Sequence, residues 1–328
     1  MRPAHRIGLP AAVLATALTL AACGTTEEPA AETTTDAPAA SGPVTYTDER
    51  GEHTLDAPAT EVVSLEWGLT ENLLALGVDI VGQADVVGYN TWDQVVPIDE
   101  STPDVGMRGE VSLDAVSALE PDLIAVTTDT PENVLDQLED IAPLVVLRGS
   151  DGTDPVGYMR ETVTTLAAVT GTDGAGADLL TGFDDAVAEA TARLADAGVD
   201  GAEFVFADGW VSNGTVSVRM YTEGSFFGGI ADELGLVNAW PEEGDADYGL
   251  SQTDVEGLTV LDRDLAFFYA ASGDEDPFAD GLAGNAVWEQ LPFVEAGDVH
   301  RIPDGIWMFG GPASAGAYID ALVEALTA

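Results

Sequence analysis

Residues 107–126, MRGEVSLDAVSALEPDLIAV, decide the fold because they contain a loop, a short helix and a buried strand in succession. Arg108 stands between two glycines, which indicates a loop tip rather than regular structure. Ser112 is a typical N-cap for the helix that follows, and Pro121 prevents that helix from continuing. The apolar run after it is typical of a buried strand, so the stretch predicts one helix–strand unit of an α/β protein.

A second copy of this pattern occupies residues 254–268, DVEGLTVLDRDLAFF. Both copies contain a capping residue, an apolar residue, a carboxylate, a short helix and a strand that opens on Asp-Leu, in the same order. Repetition of one structural unit predicts two lobes that are built alike. A chance match of so short a pattern is the alternative.

Strands and helices alternate from residue 44 onwards, apart from a predicted loop at residues 84–105, and this spacing is typical of parallel sheets. We predict an α/β fold of two similar lobes, each with a mainly parallel sheet flanked by helices. The N-terminal lobe covers residues 44–153 and the C-terminal lobe covers residues 173–328. A single long helix at residues 154–172 joins them, which permits only a small tilt between the lobes.

The N-terminal segment has the features of an export signal. Residues 1–22 begin with arginines, continue as a short apolar run and end in small residues before Cys23. The sequence LAACG around Cys23 resembles the lipobox of bacterial lipoproteins, and this resemblance implies that a diacylglyceryl group is attached to the cysteine. Residues 23–43 predict a disordered tether. We therefore expect a lipid-anchored protein on the outer face of a bacterial cytoplasmic membrane, with an ordinary secreted protein as the alternative.

The charge of the chain limits its partners. There are 59 acidic residues and 10 basic ones, all of them arginine, for a formal net charge of -49. A field this negative repels nucleic acid and anionic lipid headgroups, so we expect neither as a partner. The single cysteine excludes an intrachain disulfide.

Four segments carry a family resemblance: VVSLEWGLTENLLALGVDIVG, VGMRGEVSLDAVSALEPDLIAV, LEDIAPLVVL and VWEQLPFVEAGDVHRIPDGIWMFGGPAS. In their order and spacing they resemble the helical-backbone class of ABC-importer solute-binding proteins, and most of all the ferric hydroxamate-binding proteins of its ferric siderophore branch. The resemblance covers roughly residues 60–326. It implies a fold like that of class III periplasmic binding proteins and a monomer without enzymatic activity. Such a protein would deliver an iron chelate to a membrane permease that a separate ATPase drives.

The resemblance also implies a ligand chemistry. A siderophore supplies the oxygen ligands of ferric iron, so the protein needs no metal ligands and no cofactor of its own. It needs cations for the anionic oxygens and aromatic walls for the organic shell. In ferric hydroxamate-binding proteins an arginine at the place of Arg108 contacts the hydroxamate oxygens. Arg219 and Tyr221, at the exit of a predicted second-lobe strand, would suit a chelate with net negative charge, such as a citrate-type complex.

Aromatic residues on predicted loops complete the expected site. The candidates are Trp67, Trp92, Trp210, Tyr248, Trp307 and Phe309. Trp307 and Phe309 match a tail motif whose aromatic residues flank the ligand in the family. Tyr248 stands where hydroxamate binders commonly present a tryptophan, and Asp129 lies in a loop where they carry a tyrosine. Each aromatic side chain could instead belong to the core.

The repeated unit places two acidic residues, Asp114 and Glu256, at matching positions. In this family one acidic residue on each lobe docks into an arginine pocket of each permease subunit, so the resemblance implies that role for these two. The helix dipole also favours acids in the first turn, which is the alternative explanation.

Other functions remain open from the sequence. Haem and cobalamin are alternative ligands because both require an aromatic cleft. A metal-ion receptor would need converging ligands, and the chain after the signal offers only His53 and His300 as histidines. An enzyme with a carboxylate pair is a further alternative, although the sequence contains no nucleophile elbow and no Walker loop. An adhesion or structural lipoprotein would have no ligand cleft.

Overall fold

A computed structural model describes residues 42–271 and 276–328. The predicted signal peptide, Cys23 and nearly all of the predicted tether lie outside the described residues. Strands and short helices alternate in the N-terminal half. They are β1 (Val44–Asp48), β2 (Gly51–Leu55), β3 (Val62–Ser64), α1 (Trp67–Ala75), β4 (Ile80–Gln83), α2 (Val86–Trp92), β5 (Gly106–Met107), β6 (Glu110–Val111), α3 (Leu113–Ala118), β7 (Leu123–Thr127), α4 (Glu132–Glu139) and β8 (Leu144–Leu147).

The first sheet is parallel throughout, with the strand order β4-β3-β7-β8. Every residue of β3, β7 and β8 is buried, as expected for parallel strands that are covered on both faces. The predicted parallel sheet is therefore confirmed in this lobe. The predicted loop at residues 84–105 is wrong in part, because α2 forms within it. Asp85 caps that helix and accepts a hydrogen bond from the backbone N–H of Gly88 at 3.0 Å, but the helix is too short to show an apolar period.

The C-terminal half begins with two helices and continues into a second sheet. Its elements are α5 (Pro155–Thr170), α6 (Asp173–Ala197), β9 (Glu203–Ser212), β10 (Thr215–Tyr221), α7 (Phe226–Glu233), β11 (Val237–Asn238), β12 (Leu250–Asp254), β13 (Ala266–Tyr269), α8 (Pro292–Ala296), β14 (Val299–Arg301) and α9 (Pro312–Leu326). The helix predicted between the lobes is confirmed as α5. It begins after the N-cap Asp154 and ends at Gly171, which adopts a φ of 68°.

The second sheet is mixed. Its order is β12-β10-β9-β13-β14, with β11 also paired to β9. The pairs of β9 with β11 and β13, and of β13 with β14, are parallel, whereas β10 runs antiparallel to β9 and β12. Asn213 and Gly214 explain the antiparallel hairpin, because both have positive φ angles, 53° and 78°, as a two-residue type I′ turn requires.

The predicted repeat is present in the local structure. Ser112 Oγ accepts a hydrogen bond from the backbone N–H of Ala115 at 3.3 Å in the first copy. In the second copy Asp254 Oδ1 accepts the matching bond from Gly257 at 3.0 Å. Each capped turn leads to a parallel strand, β7 or β13. The copies differ in that α3 is an α-helix, whereas Gly257–Val260 is a 3-10 helix.

A shared core joins the two halves of the chain. One hydrophobic cluster includes Leu123 of the first sheet, Leu166 of α5, Phe204 of the second sheet and Tyr318 of α9. Each of these side chains is fully buried. A continuous core of this kind favours a small relative tilt of the lobes over a wide opening.

Candidate functional site

A cavity of about 360 Å³ lies where loops from the two halves meet. Residues that follow β3, β7 and β8 line it, and these are the carboxyl ends of parallel strands, where α/β proteins bind ligands. The lining also includes residues of helices α1, α5 and α7, of the turn between β5 and β6, of strand β10, of the loop before β12, and of the segment around Phe309. The charged and aromatic side chains of the lining are Glu66, Arg108, Asp129, Arg148, Tyr158, Arg219, Phe226, Tyr248, Trp307 and Phe309.

Arg108, in the turn between β5 and β6, lies against two indole rings. Its guanidinium carbon is 4.2 Å from the ring centroid of Trp67 and 5.4 Å from that of Trp307. Its Nη1 donates a hydrogen bond to Oε1 of Glu66 at 3.0 Å. The side chain is 37% exposed, so a guanidinium with five N–H donors can still offer hydrogen bonds to a ligand. The structure therefore brings together the predicted cation and two of the predicted aromatic residues.

Glu66 is the charge partner of Arg108 in the cavity and was not predicted from the sequence. It lies between β3 and α1, directly before Trp67. Burial raises the pKa of its carboxyl group, and the guanidinium of Arg108 opposes that shift. The position of Glu66 at a strand end, one residue before a predicted aromatic ligand, is the signal that could have revealed it.

Arg219 is held by a buried carboxylate. Its Nε donates to Oδ1 of Asp208 at 2.9 Å and its Nη2 donates to Oδ2, which makes the pair bidentate. The same Nη2 contacts the hydroxyl oxygen of Tyr221 at 3.1 Å. Burial raises the pKa of the Asp208 carboxyl, and Arg219 counteracts the rise. Because antiparallel β9 and β10 place Asp208 opposite Arg219, the strand register fixes this ion pair.

A further cation, Arg148, lines the cavity and was not predicted. It follows β8, so it too lies at the carboxyl end of a parallel strand. Its Nε donates to Oε1 of Glu49 at 3.0 Å, and its Nη1 lies 2.7 Å from Oδ2 of Asp151. Its guanidinium carbon is 4.3 Å from the ring centroid of Tyr158. The rule that ligand loops follow parallel strands would have found Arg148.

The aromatic residues of the tail motif form one wall of the cavity. The rings of Trp307 and Phe309 are 5.2 Å apart, and Trp307 lies 5.1 Å from Trp67. Tyr248 meets Phe309 edge-on at 5.5 Å. Its hydroxyl group donates a hydrogen bond to Oδ2 of Asp129, which ties the loop before β12 to the loop after β7. Large rings with a polar handle suit contact with an organic ligand that is only partly apolar.

A family model described as periplasmic binding protein matches residues 62–305. This chain belongs to that family. The Iron(3+)-hydroxamate-binding protein FhuD of Escherichia coli is 28% identical over 281 residues, which cover 84% of this chain and 89% of the relative. The probable siderophore-binding lipoprotein YfiY of Bacillus subtilis is 26% identical over 269 residues, covering 76% and 77%. The crystal structure of the siderophore-binding protein FhuD from Vibrio cholerae, with Fe3+-Desferal bound, is similar with a TM-score of 0.72 and 28% identity, covering 82% of this chain and 98% of that one.

Within this periplasmic binding protein three other predicted ligand residues, Trp67, Trp92 and Tyr221, do not line the cavity themselves and instead pack against residues that do. Trp67 is buried and donates from Nε1 to the carbonyl oxygen of Ala84 at 3.2 Å, so only its ring face supports Arg108. Trp92 packs behind Trp307 at 6.4 Å. Tyr221 is fully buried, and it touches the cavity lining through Arg219 and Phe309.

Trp210 does not belong to the described cavity lining. The prediction that it lies on a loop is wrong, because β9 continues to Ser212 before the Asn-Gly turn. Trp210 pairs with Ser217 within the β9–β10 hairpin, and it is 42% exposed. Trp210 is thus a paired residue of the second sheet, two positions beyond Asp208 along β9, rather than part of a ligand loop.

A buried glutamate, Glu71, fastens the tail of this periplasmic binding protein to its first lobe. Glu71 of α1 accepts hydrogen bonds from the backbone N–H groups of Gly311 and Ser314 at 2.9 Å each, and from the Ser314 hydroxyl at 2.8 Å. Asp93 lies beside it and is also fully buried. Burial, followed by the charge of Glu71, raises the pKa of Asp93 to about 9. The hydrogen bonds of Glu71 to Gly311 and Ser314 therefore fix the segment that carries Trp307.

Proposed function

We propose that this periplasmic binding protein is the substrate-binding component of an ABC importer and that it captures a ferric siderophore in the cavity between its lobes. The observation that carries the proposal is Arg108, which combines an exposed guanidinium with contacts to Trp67 and Trp307. A guanidinium donates hydrogen bonds to oxygens that coordinate iron, while indole rings cover the organic shell of the chelate. The volume of about 360 Å³ falls within the range of small-molecule sites.

The relatives support this ligand class. The similar proteins are named for binding iron(3+) hydroxamate and siderophores, and one similar structure holds ferric Desferal. Iron enters this proposal as cargo inside its chelate, so the protein has to recognise oxygens and carbon surface rather than coordinate the metal. Arg148 and Arg219 also line the cavity, although both are bound to carboxylates.

Binding can be tested by tryptophan fluorescence. The iron-free protein is titrated with a ferric trihydroxamate, ferric citrate, a ferric tricatecholate, haem and cobalamin, with the iron-free trihydroxamate as ligand control. We expect saturable quenching by at least one ferric siderophore and weaker quenching by its iron-free form. Quenching by haem or cobalamin alone, or by no ligand, would reject the proposal.

Replacement of Arg108 by alanine tests whether this side chain contributes to binding of the ferric siderophore. Loss of a charge-assisted hydrogen bond and of the cation–π contacts should raise the Kd of the ferric siderophore about 10- to 100-fold. Arg263→Ala is the matched control, since Arg263 forms its ion pair with Glu203 on the surface and does not line the cavity. Equal affinity of the Arg108 variant and the control would remove Arg108 from the site.

Delivery to the membrane is the second half of the proposal. Asp114 and Glu256 are exposed on the two copies of the repeated unit, away from the cavity lining, which suits contact with two permease subunits. A lipid on Cys23 would hold the protein at the outer face of the cytoplasmic membrane. None of the helices among the described residues is long and apolar enough to cross a membrane.

A further inference from the structure

We infer that Glu66 and Asp129 are specificity determinants that restrict the cavity to ferric chelates without net negative charge. This inference rests on the proposed function and assigns a charge class to its substrate. A ferric trihydroxamate, which is neutral, or positive when it carries a protonated amine, fits the inference. A trianionic ferric tricatecholate does not.

The first step is that each arginine of the described cavity lining is already bound by a carboxylate. The pairs are Arg108 with Glu66, Arg148 with Glu49 and Asp151, and Arg219 with Asp208. A cation that is paired in this way attracts an anionic ligand far less than a free one, because the ligand meets a dipole instead of a net charge. The cavity therefore recognises oxygens by hydrogen bonding more than by charge.

The second step concerns Asp129, whose hydrogen-bond partner is neutral. Tyr248 donates its hydroxyl group to Oδ2 of Asp129, and no ion pair to this carboxylate occurs within residues 42–271 and 276–328. The carboxylate thus adds a formal negative charge that has no ion-pair partner of its own among these residues. Two carboxylates, Glu66 and Asp129, line the cavity, and Glu49, Asp151 and Asp208 bind its arginines from outside the lining, so five carboxylates accompany three arginines.

The third step is that the aromatic wall does not offset this charge. Ring faces carry a negative quadrupole, so the lining residues Trp307 and Phe309 favour cationic groups over anionic ones. The net charge of the whole chain, -49, acts in the same direction. An anionic chelate would therefore meet repulsion both at long range and inside the cavity, whereas a neutral chelate would meet no such repulsion.

The test compares two ferric chelates on the variants Glu66→Gln and Asp129→Asn and on the double variant. The readout is the ratio of the Kd for a trianionic ferric tricatecholate to the Kd for a neutral ferric trihydroxamate, measured by tryptophan quenching. The Glu66→Gln substitution keeps a side-chain oxygen that can accept the bond from Arg108 while it removes the charge. We expect each substitution to lower the ratio about tenfold, and the double variant about 100-fold, at low ionic strength. At high ionic strength the change should shrink because salt screens exposed charges.

Asp79→Asn is the matched control, since Asp79 is exposed and outside the cavity lining, and it should leave the ratio unchanged. An unchanged ratio in the double variant would overturn the inference, and so would a wild-type protein that binds the tricatecholate more tightly. If Glu66→Gln fails to fold, the exposed Asp129→Asn decides alone. Failure of the wild type to bind any ferric siderophore, ferric citrate included, would instead reject the proposed function, whereas binding of anionic ferric citrate alone would overturn only the inference, so the two failures are distinguishable.

Discussion

Replacement of Asp93 by asparagine should make the protein more stable, relative to the wild type, as the pH rises. Asp93 is fully buried next to Glu71, and its pKa is raised to about 9 from an ordinary value of 3.8. At neutral pH the folded protein therefore keeps a proton on Asp93 that the unfolded chain has released. Asparagine has the same shape as the protonated acid and can still accept the backbone N–H of Val96, as Asp93 does at 3.3 Å.

The direction and size of the change in the free energy of unfolding follow from this difference in proton binding. Between the unfolded and the folded pKa, the folded state binds one more proton, so the free energy of unfolding falls by about 1.4 kcal/mol for each pH unit. From about pH 5 to about pH 8 the wild type should lose about 4 kcal/mol through Asp93. This contribution is fully present below pH 3.8 and fully lost above about pH 9. The Asp93→Asn variant has no titrating group at this position, so it should not show this loss of stability as the pH rises.

Urea unfolding at several pH values, followed by circular dichroism, measures the effect. The quantity of interest is the free energy of unfolding of Asp93→Asn minus that of the wild type, which should increase with pH over this range. Asp79→Asn serves as the control because it removes one exposed charge from the same acidic chain. If the curves of the wild type and the Asp93 variant run parallel between about pH 5 and about pH 8, Asp93 does not hold a proton in the folded state and the reasoning is refuted.

Two other substitutions test the packing and the docking. Gly68→Ala would place a Cβ 2.3 Å from the carbonyl oxygen of Phe309, so we expect the free energy of unfolding, measured with urea, to fall by about 1–3 kcal/mol. The control Gly182→Ala in α6 places its Cβ where nothing lies within 4 Å and should stabilise the protein. A Gly68 variant as stable as the wild type would show that the tail segment can move. Reversal of charge at Asp114 and Glu256 should abolish siderophore uptake through the permease while the Kd for the ferric siderophore stays unchanged, and full transport by the double variant would exclude the docking role.

Elements whose signals are local could be predicted from the sequence. The strand Leu123–Thr127 and the helix Pro155–Thr170 follow from an apolar run, from a capping aspartate and from Gly171, all of which act within a few residues. The repeat could also be predicted, because both capped turns depend on a side chain three residues before the N–H that it accepts. The antiparallel hairpin of the second sheet was missed, although Asn213 and Gly214 gave a signal for it.

Partners across the cavity could not be predicted in the same way. Arg108 was identified by its motif, but 59 acidic residues offer no local rule that selects Glu66 as its partner. The pair of Arg219 with Asp208 depends on strand register, which in turn depends on where the Asn-Gly turn falls. Trp210 was misplaced for the same reason. Tertiary geometry, not residue type, decides which of many equivalent carboxylates meets a given cation.

Basic residues are scarce in this chain, so the presence of three arginines at one cavity indicates a role in binding. Only 10 of 328 residues are basic, yet Arg108, Arg148 and Arg219 all line one cavity in the described part of the chain. If these arginines were unpaired, they would bind anions strongly, although the rest of the acidic surface repels anions. Because carboxylates bind each of them, they instead provide fixed hydrogen-bond donors with little net charge. Such a lining can hold the oxygens around an iron chelate without drawing in the many small anions of the surroundings, which explains why an acidic protein would place its few arginines in pairs at this site.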